Sequence, residues 1–157
     1  MRKPLMHPRS KILHWIYKLN LMPKLKFFLW LVIRNALPTH EFLIARRMEI
    51  SNMCCLCNQI WIILKVFFKN CTFVQSIWDH IKFNCPTPLL FEGDFLFWIE
   101  TVYKNYKINW KICNRPMEKF AIILWNVWIH RNQIVFKKIQ PNPFFVIEKA
   151  TFNFQNL

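Results

Sequence analysis

Glycine occurs once in this chain, at Gly93. So little glycine excludes the Gly-rich loops that cradle phosphates and makes tight hairpin turns with positive φ hard to place. Mostly helical structure is therefore expected. Acidic residues are also scarce. Asp79 and Asp94 are the only aspartates among eight carboxylates. Two-metal polymerase or nuclease chemistry needs clustered carboxylates, so it is excluded here. No long apolar run is present either. Ile60 to Phe68 is broken by Lys65, and Phe120 to Ile129 contains Asn126. Both fall short of the ~20 apolar residues a bilayer requires, so no membrane span is expected. The early charges at Arg2, Lys3, Arg9 and Lys11 precede no continuous apolar stretch, and no signal peptide is expected. None of the five histidines (His7, His14, His40, His80, His130) neighbours a Ser or Cys together with an acid in sequence, so no nucleophilic triad is expected.

What the chain has in quantity is apolar and basic. Its 157 residues suit one domain, or one domain and an appendage. Apolar types make up 54%, including 16 Phe and 8 Trp, enough for a substantial core. The net charge of +14 favours a polyanionic partner, either nucleic acid or an anionic membrane surface. The charge is uneven: residues 1–50 hold ten Lys and Arg against only Glu41 and Glu49. The bland reading is a solvated face that keeps an apolar chain soluble.

Helical periodicity organises the chain. Ile12, Trp15, Ile16 and Leu19 mark one face of a helix over 11–21. Pro23 suits the first turn of a second, with Leu25, Leu29 and Val32 on one face. Thr39 is a candidate N-cap for a helix to Arg47. Ile60 to Phe68 fits a strand or a helix. Val74, Ile77, Trp78 and Ile81 define a helix over 73–83, after which Pro86 and Pro88 break the chain. Phe95, Trp98, Ile99 and Val102 suggest another. Pro116 opens the strongest helix, about 116–138, apolar on two faces and expected to be nearly buried. Residues 1–10 are expected to form a loose basic arm, Pro141 and Pro143 to end the 116–138 helix, and the last residues to be loosely held. The expected boundary is 85–94. This divides the chain into a module over 11–85 and a helical region over 86–157. Helical spacing favours a core role for Trp15, Trp30, Trp78, Trp125 and Trp128 over a base-stacking surface.

Six cysteines stand at 54, 55, 57, 71, 85 and 113. Nothing directs secretion, and Cys54-x-x-Cys57 beside a neighbouring thiol suits a metal cluster better than a disulfide framework. Reduced thiols in an intracellular compartment, the nucleus included, are expected. Cys-x-x-Cys lets two thiolates from one turn grip an ion, with further ligands returning from elsewhere. A thiol oxidoreductase is the competing reading, but it needs a thioredoxin-like strand before the motif, and none is indicated.

The order of anchors then points to a family. Pro23-Lys24-Leu25-Lys26-Phe27-Phe28-Leu29-Trp30 leads to Asn35-Ala36-Leu37-Pro38-Thr39 and Arg46-Arg47. Cys54-x-x-Cys57, Phe67-Phe68-x-x-Cys71-x-Phe73 and Ile77-Trp78 follow. Over about residues 12–82 this resembles the zinc-binding domain of plant retrotransposon-type reverse transcriptases. Ile123 to Ile129, Arg131-Asn132 and Phe136 are similar to the segment that joins this domain to a ribonuclease H domain. The resemblance implies a fragment of a retroelement protein: a mainly α, small, irregular zinc-finger-like module followed by a helical linker. It implies zinc as cofactor and no enzymatic activity. The family's order Glu-x-x-x-His-x-Phe-x-x-Cys, matched on Phe67-Phe68, places Trp61 at the acid and Lys65 at the histidine, with Asn70 as an extra residue before Cys71. Cys54, Cys57 and Cys71 carry over as ligands; the fourth does not. His80, Cys55 or Cys85 could supply it. A weakened zinc site and a cluster that has lost its metal both stay open. Lys24, Lys26, Arg46 and Arg47 are the expected phosphate contacts for RNA or DNA bound without sequence preference. A functionless remnant and a basic, aromatic membrane-surface protein are the remaining alternatives.

Overall fold

A computed structural model describes residues 8–34, 36–37, 54–58, 71–81, 99–104 and 115–157. Every regular element among them is helical: α1 (Pro8–Lys18), α2 (Pro23–Ile33), α3 (Thr72–Ile81), α4 (Pro116–Lys137) and α5 (Pro143–Gln155), with a further helical stretch at 99–104. The expected helices at 39–47 and 73–83 fare differently. The first lies outside the described residues, as do Ile60 to Phe68 and the boundary at 85–94; the second is α3.

Proline at the first or second helical position opens α2, α4 and α5, where its missing N–H leaves no intrahelical bond unmade. The scarcity of glycine shows in the backbone. Asn58, Arg115 and Lys138 all hold left-handed φ values, 59°, 52° and 54°. Lys138 closes α4 in that conformation, its N–H donating to the Ile134 carbonyl at 3.1 Å. Glycine usually fills this position because a Cβ there costs about 1 kcal/mol or more.

The core centres on α4. Phe120 to Leu124, Val127 and Trp128 are buried, as expected for a helix apolar on two faces. It packs against α5 and α2, while α3 packs against α5 and α1 against α2. From α2 come Leu25, Phe28, Leu29, Val32 and Ile33; from α3 come Phe73, Val74, Ile77 and Trp78. Trp78 stacks on Phe120 at 5.4 Å, and Phe28 meets Trp125 edge-on at 5.2 Å. Trp15 stacks on Tyr103 at 4.8 Å. Each fully buried Leu, Ile or Phe contributes roughly 1.5–3 kcal/mol. The parts on either side of 85–94 thus share one core.

Three expectations need correction. Residues 8–10, placed in a loose arm, form the first turn of α1. The chain after Pro143 is not loosely held but forms α5. Asn142 caps it by accepting from the Phe144 N–H at 3.0 Å, and Val146 and Ala150 bury its inner face. Asn before Pro followed by apolar residues four apart is a helix-start signal; the two prolines read as breakers obscured it. Trp30 is half-buried at the rim of α2 rather than in the core.

Candidate metal centre

The chain brings three thiols together by two local devices. The first is a tight turn at 54–58. The Asn58 N–H donates to the Cys54 carbonyl at 2.9 Å, and the left-handed φ of Asn58 closes the turn, a conformation asparagine tolerates better than most residues. Leu56 is buried and anchors the turn to the core. The N–H groups of Leu56 and Cys57 point at the Cys54 sulfur. The second device is the start of α3. Cys71 immediately precedes the helix, its carbonyl accepting from the Gln75 N–H at 2.8 Å. Its sulfur receives the Val74 N–H. A sulfur at this end of a helix sits in a positive potential, which favours the thiolate that metal binding needs.

Cys54 Sγ and Cys71 Sγ lie 3.8 Å apart, and the sulfurs of Cys54, Cys57 and Cys71 all fall within 4.8 Å of one another. With a Zn–S bond of about 2.3 Å, the edge of a tetrahedron is ~3.8 Å. The Cys54–Cys71 pair therefore already has that spacing. Cys54 and Cys71 are buried and Cys57 half-buried, so the cluster opens toward solvent on the Cys57 side. All three are reduced thiols.

The electrostatics single out one thiolate. The Cys71 thiol donates to the Cys54 sulfur and, with the two backbone N–H groups, outweighs burial to bring Cys54 from 9.0 down to about 6. Cys71, as the donor and as a buried group, is held far above the ordinary thiol range. The cluster thus carries one ready thiolate and a proton shared with its partner. Zinc would displace that proton.

Cys55 stands apart. It is half-buried, lies outside the group of three, and is pushed up to about 11 by burial and by the adjacent Cys54. His80 sits in the last turn of α3, nine residues after Cys71, a separation of about 13 Å along a helix axis. Its ring meets Phe144 edge-on at 5.7 Å. The structure brings neither to the cluster. Lys65 and Cys85 lie outside the described residues.

One residue on α4 was missed as a neighbour of this centre, and a second is buried next to it in sequence. Arg131 is only 3% exposed. Its guanidinium lies 5.0 Å from the Trp128 ring, and its Nη1 donates to Asn132 Oδ1 at 3.0 Å. Its buried Nη2 has no hydrogen-bond partner. Burial disfavours its charge, and the Cys55 and Cys54 thiols oppose that effect. His130 is buried beside it, stacked on Phe73 at 5.8 Å. Its Nε2 accepts from the Asn142 N–H at 3.1 Å, and burial lowers its pKa. It is a neutral residue that ties α3, α4 and the α5 cap together. The sequence signal for Arg131 was an arginine placed directly after a run of buried positions.

Of the expected phosphate contacts, Lys24 is exposed, with its Nζ 5.8 Å from the Trp125 ring. Lys26 Nζ donates to the Tyr17 carbonyl at 3.1 Å, near the C-terminal end of α1. Arg46 and Arg47 lie outside the described residues.

Residues 4–78 match the family described as zinc-binding in reverse transcriptase. That stretch takes in α1, α2, all three clustered cysteines and most of α3. Within this matched stretch, just under half of the chain, Cys54, Cys57 and Cys71 form a group able to hold a metal ion, as a zinc-binding domain requires. No curated protein and no solved structure matches the chain.

Proposed function

We propose that this chain is a non-enzymatic, retroelement-derived zinc module in which one ion, held by Cys54, Cys57 and Cys71, clasps the 54–58 turn to the start of α3. The observation that supports this reading is the tetrahedral-edge spacing of Cys54 and Cys71 within a three-sulfur group. The ion's role is structural: it joins two segments thirteen residues apart in sequence and neutralises thiolates that would repel one another. Three protein ligands leave the fourth position to water, so affinity is lower than in a closed four-ligand site. Cobalt(II) titration tests this. Tetrahedral thiolate coordination gives intense sulfur-to-metal charge-transfer bands, which Cys54→Ser and Cys71→Ser should each abolish. Bands that survive both changes would place the metal elsewhere.

The module's basic N-terminal face binds nucleic acid electrostatically, without sequence preference. The support is the surplus of eight positive charges in residues 1–50 and the exposure of Lys24. Each neutralised phosphate releases condensed counterions. Replacing Lys24, Lys26, Arg46 and Arg47 by Ala should therefore flatten the log–log salt slope for single-stranded RNA, by about 0.7 for each phosphate no longer neutralised. An unchanged slope with the fold intact would reject this patch.

A further inference from the structure

The groove between α1 and α2 carries a more specific reading. Its volume is ≈ 490 Å³, and Tyr17, Phe27 and Trp30 line it together with Leu13 and Lys26. Tyr17 is 72% exposed and Phe27 61%. Large exposed rings on one surface are unfavourable in water and commonly mark a binding site. Phe27 and Trp30 are stacked, with centroids 5.8 Å apart and planes inclined by 16°. The guanidinium of Arg34 lies 4.4 Å from the Trp30 ring. Along α2 the three groups recur at three- and four-residue spacing and form one column, Phe27, Trp30 and Arg34.

The charge on these two helices has one sign. Residues 1–40 hold eight Lys and Arg and no acid. Lys18, Lys24 and Arg34 are exposed, and Lys26 is fixed at the groove by its bond to the Tyr17 carbonyl. An apolar peptide would use the rings but gain nothing from so many cations. A duplex would use the cations but hide its base faces within its own stack. A single strand uses both: its phosphates meet the lysines and its unpaired bases stack on the rings.

Building on the nucleic-acid reading above, we propose that the α1–α2 groove is a base-stacking site for single-stranded nucleic acid, with Tyr17 and Phe27 as its platforms and Lys26 and Arg34 as its phosphate contacts. Stacking tolerates any base, so the site has no sequence preference.

Anisotropy titrations of the full chain at low salt test the proposal, using a labelled oligouridylate, an abasic strand of equal length, an RNA duplex and inorganic polyphosphate. The oligouridylate should bind best, roughly tenfold or more above the abasic strand, since base–aromatic stacking is worth about 1–3 kcal/mol per base. Tyr17→Leu and Phe27→Leu keep the groove apolar and should each weaken oligouridylate binding about tenfold. They should leave the salt slope and polyphosphate binding unchanged. Equal affinity for all four ligands would overturn the stacking site and leave the electrostatic reading standing. No binding to any of them would overturn both. Sedimentation showing a dimer that both leucine changes dissociate would assign the groove to a second copy of this chain instead.

Discussion

Removing metal from this protein should expose an unusual dependence of stability on pH. In the folded chain Cys54 titrates near 6 rather than 9.0, because the Cys71 thiol and two backbone N–H groups stabilise its thiolate. Between about 6 and 9 the unfolded chain keeps a proton on Cys54 that the folded chain has lost, so stability rises with pH across that window. Above 9 the sign reverses. Cys71 is held far above the ordinary thiol range and Cys55 near 11, so the unfolded chain now sheds protons that the folded one retains. The cluster's contribution therefore peaks close to pH 9. A fall from 9.0 to about 6 sets a ceiling of roughly 4 kcal/mol. Solvent at the half-buried Cys57 side screens the cluster and brings the expected gain to about 1–2 kcal/mol. Urea melts of the metal-free protein from pH 5.5 to 10.5 measure it, and thiolate absorbance near 240 nm follows the ionisation. Cys71→Ala, which removes the donor to the Cys54 thiolate, should flatten the rise, and Cys54→Ser should remove it. Burial of neutral His130 adds a separate loss below its ordinary 6.5, which both variants retain. A wild-type profile flat between 6 and 9, or the same rise in Cys54→Ser, would refute the reasoning.

Three further outcomes follow from single side chains. Lys138→Gly should stabilise the fold by about 0.5–1 kcal/mol, measured by thermal melting, because it relieves a left-handed C-cap. Arg131→Met should lower zinc affinity about tenfold in chelator competition, because a buried cation beside the cluster offsets the net negative charge of three thiolates on one divalent ion; unchanged affinity would show that the charge is not felt there. Lys65→His should raise zinc affinity if position 65 faces the ion, and no change would show that the fourth family ligand does not align there.

Much of the helical layout was legible because helices announce themselves locally. Pro23 and Pro116 fixed the starts of α2 and α4, and the apolar spacing of Val74, Ile77 and Trp78 fixed the inner face of α3. The cysteine trio was legible through its spacing and its resemblance to a family. The rest depended on three-dimensional neighbours. Trp30 has the helical spacing of a core residue, yet α2 turns it toward the α1 groove, where Arg34 and Phe27 flank it. His80 is near Cys71 in sequence, but the helix between them carries it to the opposite end. Arg131 is separated from Cys54 by more than seventy positions, so no local pattern could have paired them. The α5 helix was hidden by two prolines, one of which is a helix starter.

The central claim is that Cys54, Cys57 and Cys71 hold one zinc ion, and native mass spectrometry of the protein refolded with zinc tests it most directly. The account predicts one zinc per chain, removed by moderate chelator and absent from Cys54→Ser and Cys71→Ser. A chain that retains no zinc, or that keeps its zinc after both substitutions, would contradict it.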